Sequence, residues 1–111
     1  MESFNQFTIP LGKYIDPNTL GELELIRYKV SDDEKHDTLY LIRDVKNSNY
    51  YCCYEPNNSS EHNYHQSDAK IVMQNFLDNE LGVSYRMEIM TPKSGDWLIT
   101  HYLARVYIPQ K

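Results

Sequence analysis

The stretch that decides the fold is SDAKIVMQNFLDNEL, residues 67–81. Its apolar residues recur every three or four positions and therefore fall on one side of an α-helix: Ala69, Val72, Met73, Phe76 and Leu77. Ser67 is a favourable N-cap, and Asp68 lies at the positive end of the helix dipole. Gly82 follows at once, and glycine commonly ends helices. The pattern predicts one amphipathic helix over residues 67–81.

Strand patterns precede this helix. Three runs rich in β-branched and aromatic residues occupy residues 21–30, 38–45 and 50–54, and a further short strand is predicted at residues 4–9. In the first run, Leu23 and Leu25 are out of phase with Tyr28 and Val30. Either a β-bulge near Leu25 realigns them, or both faces of this strand are covered. Short polar connections join the three runs, so we expect an antiparallel meander.

Two more strands are predicted after the helix. Residues 83–90 alternate strictly, which directs Val83, Tyr85, Met87 and Ile89 inward. Residues 97–108 carry large apolar side chains on both phases. The predicted order is β-β-β-α-β-β, a two-layer α+β fold in which the helix packs on one face of a mainly antiparallel sheet of about five strands. We expect one domain over residues 1–111, and a homodimer that covers the second, apolar sheet face.

Composition narrows the class of protein. The chain has 111 residues, with 11 Lys and Arg against 16 Asp and Glu, and a net charge of -5. An excess of carboxylates repels the phosphates of nucleic acids and of anionic membranes, which argues against both as direct partners. The sequence has no apolar run of about 20 residues, and its first residues do not resemble a signal peptide. We expect a cytoplasmic protein.

The two cysteines, Cys52 and Cys53, are adjacent in a predicted strand. Neighbouring strand side chains point to opposite faces, so these two thiols cannot bridge each other without strain. We expect both to be reduced and structural, as is usual in a reducing compartment.

Candidate chemistry is sparse. His62 and His65 are spaced for one helical turn, and Glu61 or Asp68 lies close enough in sequence to complete a metal site. Such spacing is common in polar loops, and we interpret these histidines as solvent-exposed. The sequence has no phosphate-binding glycine loop and neither of the common metal motifs, C-x-x-C and H-E-x-x-H. We therefore predict neither a metal nor a cofactor.

The remaining signal is for a protein partner. Four carboxylates cluster in the connection between the first two strands, and tyrosines, which are enriched at interfaces, gather near the third. The predicted partner-binding residues are Asp32, Asp33, Glu34, Asp37, Tyr50, Tyr54, His62, Tyr64 and His65. The leading hypothesis is a small acidic inhibitor of the immunity or counter-defence type that occupies a basic surface. Two alternatives stay open: a small enzyme that uses His62, His65 or His101, and a homo-oligomeric accessory domain.

Overall fold

The computed structural model describes residues 11–12, 14–30, 38–55, 66–91 and 102–109. After a short 3₁₀ helix at Pro17–Thr19, they form these elements in chain order: β1 (Leu23–Val30), β2 (Thr38–Asp44), β3 (Asn49–Glu55), α1 (Gln66–Glu80), β4 (Arg86–Ile89) and β5 (Tyr102–Tyr107). The predicted β-β-β-α-β-β order and α+β class are confirmed. The strand predicted at residues 4–9 and the first part of the last strand, residues 97–101, lie outside the described residues.

The sheet has the strand order β1-β2-β3-β5-β4, and all neighbouring strands are antiparallel. Strands β1, β2 and β3 form the predicted meander. Strand β5 lies between β3 and β4 and is antiparallel to both, so β3 and β4 run parallel to each other. Parallel strands need a long crossover connection, and the 15-residue helix α1 is part of it.

Strand β1 contains the predicted bulge. Leu25 is opposite Ile42, but the next paired residue is Arg27, opposite Leu41, so one extra residue is inserted into β1. The insertion places Leu25 and Tyr28 on the same face of the sheet, although they are out of phase in sequence. The bulge therefore resolves the conflicting periodicity of this strand.

Helix α1 covers one face of the sheet, which we call the helix side. Its buried residues are those of the predicted stripe, Ala69, Met73, Phe76 and Leu77, with Val72 at the margin. They pack on a row of side chains from the central strands: Leu39, Leu41, Cys52, Tyr54, Tyr102, Ala104 and Val106. Helix α1 ends at Glu80, and Gly82 follows with a φ of 46°, a left-handed conformation that glycine adopts without strain.

The second face also has a cover, which corrects the expectation of a single uncovered face. Residues 11–12 and 14–20, which we call the N-terminal layer, pack on its centre through Leu11, Tyr14, Ile15 and Leu20. Beneath them lie residues of the three central strands: Ile42, Tyr51, Cys53 and Leu103. Buried apolar area at the centre of this face therefore no longer argues for a dimer.

The strand after the helix is shorter than predicted. It begins at Arg86, and Val83 lies before it in the turn that follows the helix. Met87 and Ile89 pack against the core as predicted, whereas Val83 is exposed. The expected inward position of Val83 was wrong because the residue belongs to the turn and not to the strand.

In the part of the chain that the structure describes, no helix is long and apolar enough to span a membrane.

Substitution of Phe76 tests how the helix is packed. Phe76 is 2% exposed, whereas Ile71 on the other side of the same helix is 56% exposed. We expect Phe76→Ala to lower the free energy of unfolding by about 3–5 kcal/mol, because it leaves a cavity in the core. Ile71→Ala serves as the control and should change it by less than about 0.5 kcal/mol. Urea unfolding measures both, and equal losses in the two variants would contradict the packing.

Candidate functional site

Of the residues predicted to bind a partner, Tyr50 and Tyr54 fall within the described part of the chain. Both lie on the helix side of β3, near its opposite ends. The other predicted residues lie outside the described residues: Asp32, Asp33, Glu34, Asp37, His62, Tyr64 and His65. His101, the remaining candidate for catalysis, lies outside them as well.

The two described tyrosines have different environments. Tyr54 is 0% exposed and stacks on Tyr102, with ring centroids 6.1 Å apart. It belongs to the core beneath α1 and has no surface to offer a partner in this conformation. Tyr50 is half-buried, and the Arg43 guanidinium lies 5.7 Å from the centre of its ring.

An exposed aromatic surface lies instead at the end of the β1–β2 hairpin. We call it the hairpin surface and define it by Tyr28, Val30, Tyr40 and Glu55. Tyr28 is 57% exposed, and Val30 is exposed beside it on the same edge strand. Large apolar side chains at such exposure are candidates for contact with another molecule.

The Tyr28 side chain is supported from within the sheet. Tyr28 and Tyr40 are cross-strand partners whose ring centroids lie 5.7 Å apart at an interplanar angle of 36°. Cross-strand aromatic pairs of this kind stabilise a hairpin and hold each other in place. The exposed ring is therefore part of a fixed pair of aromatic side chains.

The hairpin surface includes one carboxylate, that of Glu55, whose charge acts on Tyr40. Burial and then the charge of Glu55 raise the pKa of Tyr40 to about 12, which keeps its hydroxyl protonated at neutral pH. Val30 and Thr38 are the last paired residues of the hairpin, so the connection of residues 31–37 begins and ends there. Four carboxylates belong to this connection and lie outside the described residues: Asp32, Asp33, Glu34 and Asp37.

Tyr28 is not among the residues predicted from the sequence to bind a partner. The sequence feature that could have identified Tyr28 is its position, because Tyr28 and Tyr40 flank the acidic connection at similar distances on either side. The exposure of Tyr28 follows from the edge position of β1 and from the register set by the bulge. Residue type alone reveals neither the edge position of β1 nor this register.

Both thiols are free, as predicted, and both are buried. Cys52 lies in the core on the helix side, and Cys53 lies under the N-terminal layer. Burial raises the pKa of Cys52 well above that of an ordinary thiol, and burial together with Glu55 raises the pKa of Cys53 to about 12. Neither forms a thiolate at neutral pH, which nucleophilic chemistry would require.

A wide groove with a volume of about 760 Å³ lies between α1 and β4. Tyr85 lies in it, and its single hydroxyl proton is shared between Asp78 Oδ1 (2.7 Å) and the Gln74 carbonyl (3.1 Å). Burial and the bond to Asp78 raise the pKa of Tyr85 to about 12. This tyrosine is therefore a neutral hydrogen-bond donor at physiological pH.

Acid–base catalysis near pH 7 favours side chains whose pKa values lie close to neutrality. The side chains with shifted pKa values in the described ranges all have them raised: Tyr40, Tyr51, Tyr85, Cys52 and Cys53. Within the same ranges, no group of three or more His, Cys, Asp or Glu side chains is arranged to hold a metal ion.

The chain matches no family model and has no significant similarity to a curated protein or a solved structure.

The raised pKa values predict a loss of stability at alkaline pH. In the folded protein the two thiols keep their protons to higher pH than in the unfolded chain. Below the ordinary thiol pKa of 9.0 both states are protonated, so the thiols give the stability no pH dependence there. We expect the free energy of unfolding to fall as the pH rises from there towards 12. Urea unfolding between about pH 8 and about pH 11 measures this fall.

The double variant Cys52→Ala, Cys53→Ala provides the control, because alanine does not titrate. Its stability should decline less steeply over the same interval, because only the tyrosines with raised pKa values still contribute: Tyr40, Tyr51 and Tyr85. Identical slopes for the variant and the native sequence would contradict the thiol assignment.

Proposed function

We propose that this protein is a small binding domain that occupies a basic surface on another protein, in the manner of an immunity or counter-defence inhibitor. The observation that carries the proposal is the hairpin surface, where the exposed Tyr28 ring packs on Tyr40 beside Glu55. The acidic connection of residues 31–37 is attached to this same surface.

The two parts of the surface would contribute differently to binding. A tyrosine ring buries a large area and has few rotatable bonds, so Tyr28 would supply contact energy and slow dissociation. The carboxylates of Asp32, Asp33, Glu34 and Asp37 would act at longer range and accelerate association with a basic partner. The net charge of -5 favours the same class of partner.

The proposal includes an intracellular location. Two free thiols, both buried and neither in a disulfide, are typical of proteins in a reducing compartment.

Affinity capture from the native host, followed by measurement on the purified partner, tests this function. We expect a protein with a basic surface to be enriched. Tyr28→Ala should weaken its binding at least about tenfold, mainly through faster dissociation, because a central interface aromatic is removed. Ile71→Ala, which removes an equally exposed apolar side chain from α1, is the matched control and should bind like the native protein.

The acidic connection is tested separately by the variant Asp32→Asn, Asp33→Asn, Glu34→Gln, Asp37→Asn. Its association rate should fall, and that rate should depend less on salt than in the native protein, because long-range attraction has been removed. A partner whose binding is insensitive both to Tyr28→Ala and to this neutralised variant would show that the hairpin surface is not the binding site.

A homodimer is the second candidate, favoured by the edge position of β1. This eight-residue strand pairs with β2 on one side and has no neighbouring strand of the described sheet on the other. Such an edge can pair with a second copy of itself, and Tyr28 would then be covered by the partner copy. The bulge in β1 opposes continuous pairing and would confine it to part of the strand.

Light scattering coupled to size-exclusion chromatography distinguishes the two candidates. A solution mass twice the chain mass of 13.2 kDa supports the homodimer, and a mass of 13.2 kDa rules it out at the concentration used.

A further inference from the structure

The hairpin surface leaves part of the Tyr28 ring open to solvent, since Tyr28 is 57% exposed. Tyr28 pairs with Tyr40 on the second face of the sheet, and their ring centroids lie 5.7 Å apart. Glu55 is on that face as well, because its cross-strand partner Thr38 lies two residues from Tyr40. The charge of Glu55 acts on Tyr40. Two phenol rings and one carboxylate therefore share this end of the face.

The described cations of β1 leave the sheet on the other side. Arg27 and Lys29 are paired with leucines of β2 that lie in the core on the helix side. Neighbouring strand residues alternate between faces, so both side chains point away from the face that holds Tyr28. Arg27 lies 3.7 Å from Glu80 of α1 there. Among the described residues at this end of the second face, the charged side chain is that of Glu55.

Other tyrosines of this protein are already in contact with guanidinium groups. Those of Arg86 and Arg105 lie 4.1 Å and 4.8 Å from the centre of the Tyr107 ring, and a third lies 5.7 Å from the centre of the Tyr50 ring. Within the described ranges, none of the recorded contacts of this kind involves Tyr28. A cation within about 6 Å of a ring centre is attracted to the electron-rich face of the ring. The exposed Tyr28 ring is therefore suited to a cation from another molecule.

A guanidinium group fits this surface better than an ammonium group. It is planar and weakly hydrated, so it stacks on an aromatic ring at little cost in desolvation, whereas an ammonium group is strongly hydrated. The N–H groups at the edge of a stacked guanidinium can donate charge-assisted hydrogen bonds to a neighbouring carboxylate. Glu55 supplies a carboxylate on the same face, and the net charge of -5 favours the same ligand.

We propose that the Tyr28 ring, supported by Tyr40 and flanked by Glu55, is a binding site for the guanidinium group of an arginine side chain on the partner protein. This inference rests on the proposed function, because it names the side chain through which the partner contacts the hairpin surface. Binding then depends on the aromatic face of Tyr28 and on the positive charge of the ligand, and not only on the apolar area that is covered.

Nuclear magnetic resonance titration of the full chain with short peptides tests the site without the partner. The probe is a peptide of alternating glycine and arginine with blocked ends, and two analogues carry lysine or citrulline in place of arginine. Citrulline keeps the shape of arginine but is neutral. At an ionic strength of about 0.15 M, which screens long-range attraction, we expect saturable shifts at the backbone amides of Tyr28, Tyr40 and Glu55. The lysine peptide should bind at least about threefold more weakly than the arginine peptide, and the citrulline peptide at least about tenfold.

Two pairs of variants locate the binding. Tyr28→Leu keeps an apolar side chain but removes the ring, so it should weaken binding of the arginine peptide at least about threefold. Tyr28→Phe keeps the ring and should bind like the native protein. Glu55→Gln should weaken binding about threefold, because it removes the neighbouring charge. Glu24→Gln is the charge-matched control and should have no effect, since Glu24 is exposed on β1 and its pairing with Arg43 places it on the helix side.

Three results would overturn the proposal: equal affinity for the arginine and citrulline peptides, equal affinity for the arginine and lysine peptides, and equal affinity of the native protein and a folded Tyr28→Leu variant. If Tyr28→Leu does not fold, equal affinity of the native protein and Glu55→Gln replaces the third. The proposed function fails separately. Selective binding of the arginine peptide supports the site even if affinity capture enriches no basic protein. A captured basic partner that is weakened by Tyr28→Ala supports the function even if the peptides show no selectivity.

Discussion

The arrangement of the whole molecule depends on one buried carboxylate, that of Asp44 at the end of β2. It is 0% exposed, and it accepts hydrogen bonds from Gly21 N (3.1 Å), Asn47 N (3.3 Å) and Asn47 Nδ2 (2.7 Å). Asn47 Nδ2 also donates to the Thr19 carbonyl at 2.9 Å. Burial of a carboxylate is unfavourable unless such donors surround it, so the β2–β3 turn and the N-terminal layer are stable in this arrangement only together.

Close backbone approach makes this connection specific. A Cβ atom at Gly21 would lie 2.3 Å from Lys46 Cβ and 2.8 Å from Asp44 Oδ1, so the chain can pass there only as glycine. The approach brings Leu11 and Tyr14 over the second face of the sheet. Helix α1 covers the first face and the N-terminal layer covers the second. Neighbouring residues of β3 are therefore buried on opposite faces, and both cysteine thiols are shielded from solvent.

Local patterns in the sequence were enough to predict the elements. The helix followed from its apolar stripe and from Gly82, and the bulge followed from the phase change after Leu25. The N-terminal layer was not predicted, because residues 11–20 have neither helical nor strand periodicity and are ordered by long-range contacts. Tyr54 and Tyr28 show the same limit for the candidate site. Tyr54 is in the core and Tyr28 is exposed. Strand order and register decide this difference, and residue type does not.

The opposite ends of the sheet differ in charge, and strand β2 connects them. Tyr40 belongs to the hairpin surface, from which the acidic connection extends, and Arg43 of β2 and Arg105 of β5 lie near the other end of the sheet. At about 3.4 Å per residue, the seven residues of β2 separate these ends by roughly 20 Å. Such a separation of charge would orient the molecule as it approaches a basic partner, with the hairpin surface leading and the arginines directed away.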